Sequence, residues 1–324
     1  MERMNLSRKE VLPAQELGTE AGRIVSRKGS AGKILASLSG GVYFLTDDQE
    51  IFWVYPDSSP MHRRCIRTAF LPESCRFQPE QRFRIEPCLI RGDSFGVDLR
   101  GAKEWNPLLP EQVLPAASVK GNCEQLIKFL RCLNSRSGLS PLIPSLWLQG
   151  NQEFELSRAT DIFFKIFPAI FEIAQACRER DLSGILEKGR GLIGLGPGLT
   201  PSGDDFMGGL LFSVSLLQKL YPEAFSRDPD RLTEFLTRAQ SQTHPLSYVF
   251  LSDLASGHAP APLGEMINFL LQGRDFERAL SAAAQLLRFG HSTGGDMLAG
   301  MMAGMLMVSN RDFVGGQLAA PNSF

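Results

Sequence analysis

The sequence lacks an excess of charge of either sign: Lys and Arg together number 34, Asp and Glu number 35, and the formal net charge is −1. Nucleic-acid partners and membrane surfaces are usually met by clustered positive charge, so this balance gives no electrostatic argument for either. Long apolar runs are missing too, since the longest, residues 297–308, is about half of a transmembrane span. We therefore expect no nucleic-acid partner and no membrane partner.

Cysteine and histidine are scarce and poorly spaced for metal chemistry. The six cysteines form no C-x-x-C pair, and the four histidines show no metal-ligand spacing on one helix face. This pattern favours reduced thiols over a zinc site or a disulfide framework. The opening residues, MERMNLSRKEVLPAQELG, lack the apolar core of a secretory signal, so a cytoplasmic protein is the expectation.

What the sequence does have is two halves of different character. From residue 22 to about 100, short runs rich in β-branched and aromatic residues, beginning with GRIVS (22–26), alternate with turn residues. From residue 118 onward, apolar residues recur at helical spacing. The predicted fold class is α+β, with an N-terminal β-barrel-like domain followed by a mostly α-helical domain that has two central buried helices. We expect a polar segment at 1–20, the β-rich domain at 21–115 and the helical domain at 116–324.

The most unusual segment is GLGPGLTPSGDDFMGGLL, residues 194–211, with six glycines and two prolines. Thr200 is predicted to cap a helix whose first position is Pro201, with Asp204 and Asp205 in the first turn, where the helix dipole favours negative charge. The helix that follows is apolar nearly all round, which predicts burial on most sides.

A second segment repeats this pattern 91 residues later. Aligning SGDDFMGGLL (202–211) with TGGDMLAGMM (293–302) matches Gly203 with Gly294, Asp205 with Asp296, and Gly209 with Gly300. The repeat predicts two buried helices that cross at their glycines and begin near one another. One pocket would then gather Asp204, Asp205, His291, Ser292, Thr293 and Asp296.

Four interpretations of this pocket stay open. In the first, the polar residues only cap the two helices. In the second, a phosphate or carboxylate binds the helix N-termini and the N–H groups of the glycine-rich turn. A neighbouring carboxylate would repel a phosphate by about 3–4 kcal/mol at an effective dielectric constant near 20, so an anion would need a Mg²⁺ bridge or a cation such as Arg190. In the third interpretation, the aspartates bind a substrate with N–H donors, such as a carbamoyl group. In the fourth, His291 beside Asp296 acts in acid–base catalysis.

The dinucleotide-binding and P-loop templates do not fit, because prolines interrupt GLGPGL and no G-K-[ST] follows. Mg²⁺ is the one candidate cofactor, and no metal ligands are assigned. The candidate catalytic residues are Asp204, Asp205, His291 and Asp296. The candidate substrate-binding residues are Gly196, Gly198, Thr200, Ser202, Gly203, Ser292, Thr293 and Gly294.

The motifs GLGPGLTPSGDDFMGG and GHSTGGDMLAG resemble the bacterial family of formerly unknown function named after the third (AllH-type) subunit of oxamate carbamoyltransferase. GRIVS, GAKEWNPLLP and SQTHPLSYVFLSDLASG extend the resemblance over most of residues 20–308. The chain departs from the family where a run of Thr and Ser is expected and QTHPLS stands.

The resemblance implies a subunit of a multi-subunit transferase in allantoin and purine catabolism, with other subunits of the complex as partners. There, oxalurate and phosphate give oxamate and carbamoyl phosphate, so the implied small-molecule partner is a carboxylate or carbamoyl metabolite or phosphate. Whether this subunit is itself an enzyme stays open. The alternative is a non-catalytic assembly or regulatory subunit that binds a small metabolite.

Overall fold

The computed structural model describes residues 10–27, 29–38, 40–72, 77–107, 113–133, 135, 137–147 and 161–309. The chain divides into two compact units, residues 1–107 and residues 108–324. The first is a β-barrel and the second is helical, which confirms the predicted α+β class.

The first unit is built on one closed sheet. Its described strands are β1 Glu10–Gly18, β2 Ala31–Leu38, β3 Gly41–Thr46, β4 Ile51–Pro56, β5 Cys65–Thr68, β6 Arg82–Glu86, β7 Leu89–Gly92, β8 Phe95–Asp98 and β9 Lys103–Trp105. The order is β5-β4-β3-β2-β6-β7-β8-β1-β9, and a further pairing between β1 and β5 closes eight strands into the barrel. The first half of β1 pairs with β8 and its second half with β9, both in parallel.

Alternating side chains fill the barrel. Along β2, Gly32, Ile34 and Ala36 are buried and the residues between them are half-buried, which is the period expected of a strand with one inward face. Inside, the ring of Phe44 stacks on Phe52 at 4.9 Å and meets the edge of Phe83 at 5.2 Å. These buried aromatic rings contribute much of the apolar surface that holds the barrel together.

The prediction of a strand at GRIVS was wrong, because these residues end a helix, α1 (Thr19–Val25). The backbone N–H groups of Glu20 and Ala21 both donate to the carbonyl oxygen of Arg63, at 2.8 and 2.9 Å, which satisfies the start of the helix. The sheet begins earlier, at Glu10, within the stretch expected to be a polar segment.

The second unit is a helical array. Its described α-helices are α2 Ala116–Leu133, α3 Ile143–Trp147, α4 Asp161–Glu179, α5 Leu182–Gly189, α6 Ser202–Leu220, α7 Pro229–Gln240, α8 Pro245–Ala255, α9 Ala261–Gln272, α10 Phe276–Leu286 and α11 Thr293–Gly304. Pro168 lies inside α4, which continues through it and is not divided there. Among the helices of the described residues, none combines the length and apolar composition needed to cross a membrane.

Helices α6 and α11 form the centre of this unit, as predicted. Every residue of α11 is buried, and so is α6 from Ser202 to Val214. A Cβ atom on Gly209 would lie 2.0 Å from the carbonyl oxygen of Met297, and one on Gly300 would lie 1.9 Å from that of Phe206. The two backbones therefore touch at these glycines, where a side chain on either would collide with the other helix.

Candidate functional site

The glycine-rich turn leads from the 3-10 turn Arg190–Leu192 into α6 and depends on its glycines. Gly194, Gly196 and Gly198 have φ of 78°, 135° and 88°, a region that other residues rarely adopt. A Cβ atom on Gly196 would also lie 2.4 Å from the backbone nitrogen of Ser202. Within the described residues, the N–H groups of Gly196 and Gly198 donate no hydrogen bond.

The two repeated motifs meet at their helix starts. The hydroxyl of Thr200, before α6, lies 2.9 Å from the hydroxyl of Thr293, the first residue of α11. The helices start at equivalent positions, Ser202 and Thr293, with the same 91-residue offset as the sequence repeat. Asp205 and Asp296 therefore occupy the same position in the first turn of their helices.

Capping does not explain the polar residues of these motifs. Pro201 precedes α6 and Ser292 precedes α11, and within the described residues neither helix start receives a side-chain capping hydrogen bond. Thr200 was expected to cap α6, and this was wrong, since its hydroxyl contacts Thr293 instead. The two helix-start glycines serve close packing: a Cβ on Gly203 would lie 2.0 Å from the carbonyl oxygen of Leu192, and one on Gly294 1.6 Å from that of Leu286.

Asp204 is fully engaged by protein donors. Its carboxylate accepts the N–H of Gly194 at 2.7 Å and the hydroxyls of Ser247, at 2.6 Å, and Thr243. The side chain thus fastens the glycine-rich turn to α8 and to Thr243, two residues before that helix. Thr243 and Ser247 both belong to QTHPLS (242–247), and the sequence did not predict a role for either.

Asp205 is also buried but is left with a free acceptor. Its Oδ2 atom accepts no hydrogen bond within the described residues. Burial raises the pKa of Asp205 well above its usual range, the nearby charge of Asp296 raises it further, and the hydroxyls of Thr293 and Thr200 oppose the rise. The neutral carboxylic acid is therefore the favoured form of Asp205 in the folded protein.

Asp296 is the partner of Asp205 on α11. Its Oδ1 accepts the N–H of Leu139 at 2.7 Å, whereas its buried Oδ2 accepts nothing within the described residues. Burial raises the pKa of Asp296 to about 6, although hydrogen bonds from the hydroxyls of Ser202 and Ser292 and from Leu139 oppose the rise. The approach of the 137–139 segment was missed, because nothing local in the sequence links it to α11.

The remaining predicted site residues lie at the edge of this cluster. His291 is exposed, and within the described chain it forms no hydrogen bond to Asp296. Ser292 is half-buried and Ser202 is buried. No group of three His, Cys, Asp or Glu side chains in the described ranges is arranged to hold a metal ion. A Mg²⁺ ion here would depend on oxygen atoms that a substrate brings.

Comparisons with known proteins agree with the motifs. No solved structure matches the chain. One family model does match, and its match covers both glycine-rich motifs, α6, α8 and α11. That family is described as oxamate carbamoyltransferase subunit AllH, and residues 192–305 of the chain match it.

Proposed function

We propose that the chain is a subunit of an oxamate carbamoyltransferase-type complex of the cytoplasm and carries a binding site for a carbamoyl metabolite. The observation behind this is a pair of buried carboxyl oxygens, Asp205 Oδ2 and Asp296 Oδ2, which lie where the two family motifs meet and receive no hydrogen bond from the described residues. A buried acceptor without a partner costs roughly 1–3 kcal/mol, and more if it is charged. A ligand that brings N–H donors removes this cost.

Oxalurate suits the two surfaces of the site. Its carbamoyl group brings N–H donors and a carbonyl acceptor to the two carboxyl groups. Its own carboxylate suits the unused N–H groups of Gly196 and Gly198, which can bind an anion as backbone N–H groups do elsewhere. A bare phosphate fits less well, since an ionised carboxylate nearby repels it by about 3–4 kcal/mol at an effective dielectric constant near 20.

The reaction proposed for the complex is carbamoyl transfer from oxalurate to phosphate. A phosphate oxygen attacks the carbamoyl carbon, the bond from that carbon to the oxamate nitrogen breaks, and this nitrogen takes up a proton. Asp205, Asp296 and His291 are the candidate proton carriers of the chain. Phosphate would approach with Mg²⁺, whose charge reverses the repulsion by the carboxylates.

Thermal unfolding of the purified chain tests the ligand assignment. A ligand that binds only the native state raises the melting temperature in proportion to RT ln(1 + [L]/Kd). Oxalurate or oxamate is expected to raise it in the presence of a chelator, whereas phosphate is expected to do so only with Mg²⁺. Strong stabilisation by phosphate in chelator would contradict the assignment, as would silence towards every ligand.

The alternative is a non-catalytic metabolite-binding subunit, and the full engagement of Asp204 by protein donors favours it. Carbamoyl transfer assayed with the chain alone, with its partner subunits alone and with both together separates the two functions. If the subunit is catalytic, Asp296→Ala in the assembled complex lowers kcat. If it only binds a metabolite, the same change alters the response to that metabolite and leaves the maximal rate near wild type. Asp228→Asn, at the exposed start of α7, is the matched control.

A further inference from the structure

The two carboxyl groups with free oxygens have different surroundings, although they occupy equivalent positions in a repeat. Next to Asp205 stands Asp204, whereas the residue equivalent to Asp204 on α11 is Gly295. A Cβ on Gly295 would lie 2.0 Å from the carbonyl oxygen of Ser137, so the missing side chain lets the 137–139 segment reach Asp296. Among the described residues, Asp296 therefore receives a backbone N–H, that of Leu139, and Asp205 receives none.

This asymmetry decides which carboxyl group keeps a proton. A backbone N–H donor stabilises an ionised carboxylate, and a neighbouring carboxylate destabilises one. Asp296 has the donor, whereas Asp205 lies within reach of the charges of both Asp296 and Asp204. The charges that raise the pKa of Asp205 are those of Asp296 and Asp204, and the groups that lower the pKa of Asp296 are hydrogen-bond donors.

We propose that Asp205 and Asp296 act as a carboxyl pair that shares one proton and recognises a neutral planar amide or ureido group. The protonated Asp205 donates its O–H to the ligand carbonyl oxygen, and the ionised Asp296 accepts a ligand N–H. This rests on the proposed function, because it specifies how that same site holds a carbamoyl group.

A pair with one proton selects by hydrogen-bond polarity. An amide offers one acceptor and one donor, which matches one O–H and one carboxylate. A guanidinium or amidinium group offers donors only and needs two ionised carboxylates. A ligand carboxylate offers acceptors only and needs two protonated groups. Selection is strong because an unmatched buried polar group loses its hydrogen bond and keeps its desolvation cost.

N-carbamoylglycine and guanidinoacetate test this selection, because they differ only by a carbonyl oxygen in place of a cationic nitrogen. Calorimetric titration of the wild-type chain near pH 7.5 is expected to show binding of N-carbamoylglycine at least about tenfold tighter, the equivalent of one lost hydrogen bond to a charged group. Tighter binding of guanidinoacetate, or binding of neither probe, would overturn the proposal.

Variants separate the roles of the two groups. Asp205→Asn should retain N-carbamoylglycine binding within about threefold, because the Asn NH₂ donates where the acid O–H did. Asp205→Ala and Asp296→Asn should each weaken it about tenfold or more. Equal losses in Asp205→Asn and Asp296→Asn would show that both groups act as acceptors. Asp228→Asn is the control for loss of one acidic group from this unit.

Infrared difference spectroscopy of the unliganded chain gives a readout that needs no ligand. Near pH 7.5 the C=O stretch of a protonated carboxyl group should be present in wild type and in Asp296→Asn and absent in Asp205→Asn. A missing band in wild type would overturn the proposal. If the band and the ligand selection are found but the assembled complex transfers no carbamoyl group, the proposed function fails and the carboxyl pair stands.

Discussion

Replacing Asp296 by Asn should make the helical unit more stable at neutral and alkaline pH. Asn keeps a carbonyl oxygen for the Leu139 N–H but has no charge to bury. Burial raises the pKa of Asp296 from 3.8 in the unfolded chain to about 6 in the folded protein. The folded protein therefore binds this proton more tightly than the unfolded chain does, and the resulting stability is present below pH 4 and lost as pH rises through 6.

The size of the effect follows from that shift. One pKa unit corresponds to about 1.4 kcal/mol, so a rise of about two units corresponds to roughly 3 kcal/mol in the free energy of unfolding. Burial, and then the charge of Asp296, raise the pKa of Asp205 well above its usual range. The stability of wild type relative to Asp296→Asn should thus fall by roughly 3 kcal/mol between pH 4 and pH 8.

Urea unfolding at unit steps from pH 4 to pH 8, followed by far-ultraviolet circular dichroism, measures this difference. The signal reports mainly the helical unit, since α1 is the one α-helix described in the barrel unit. Asp228→Asn corrects for loss of one acidic charge. Curves for wild type and Asp296→Asn that run parallel over the whole range would refute the reasoning, and a wild type that gains relative stability with rising pH would reverse its sign.

Two further substitutions test the fold that holds the site. Gly209→Ala should destabilise the helical unit by roughly 1–3 kcal/mol or more in urea unfolding, because the new methyl group meets the Met297 carbonyl oxygen. The control Gly264→Ala in α9 has open space around the new methyl group and should stabilise the unit by up to about 1 kcal/mol. An equal response to both substitutions would contradict the close crossing. Glu20→Gln should destabilise the barrel unit by up to roughly 3 kcal/mol at pH 7. The reason is that the hydrogen bond from Arg23 lowers the pKa of this largely buried side chain from 4.5 to about 2, although burial alone would raise it. This difference in stability from wild type should vanish as pH falls towards 2. The control Glu80→Gln, in an exposed ion pair, should change the free energy of unfolding by no more than about 0.5 kcal/mol. A Glu20→Gln barrel unit as stable as wild type at pH 7 would refute the role of the Glu20–Arg23 pair.

The centre of the helical unit could be predicted because its causes are local. Segments that are apolar on every side must be buried, and a glycine four positions after the aspartate in the first turn of each helix allows a close crossing. Both features are visible in residues 202–211 and 293–302. Most strands of the barrel could be predicted for the same reason, since alternation between an inward and an outward face repeats every two residues.

The errors come from features that distant residues decide. GRIVS is short, and a run of this length suits a strand or a helix equally well. The carbonyl oxygen of Arg63, some forty residues away, receives the first N–H groups of α1 and settles the outcome. The strand β1 was missed because Pro13 interrupts it and its register shifts between Ala14 and Glu16, so its residues do not alternate simply.

Within the site, the sequence grouped the three aspartates but could not assign their different environments. Neighbouring residues on a helix point about 100° apart, so Asp204 and Asp205 had to face different surroundings. What each one meets depends on segments far along the chain: Thr243 and Ser247 for Asp204, and Leu139 for Asp296. The two hydroxyl groups of QTHPLS thus hold the glycine-rich turn through Asp204.

The balance of energies at the crossing of α6 and α11 explains why these carboxyl groups are suited to a ligand. The positive end of a helix dipole favours an ionised carboxylate by about 0.3–1 kcal/mol, and by about 2 kcal/mol in partly buried sites. Burial of an unpaired carboxylate costs several kcal/mol, so burial dominates, as the raised pKa values of Asp205 and Asp296 show. A structural carboxylate avoids this cost by collecting protein donors, as Asp204 does. Asp205 and Asp296 each keep one oxygen without a partner among the described residues, and we propose that a bound molecule supplies the missing hydrogen-bond partners.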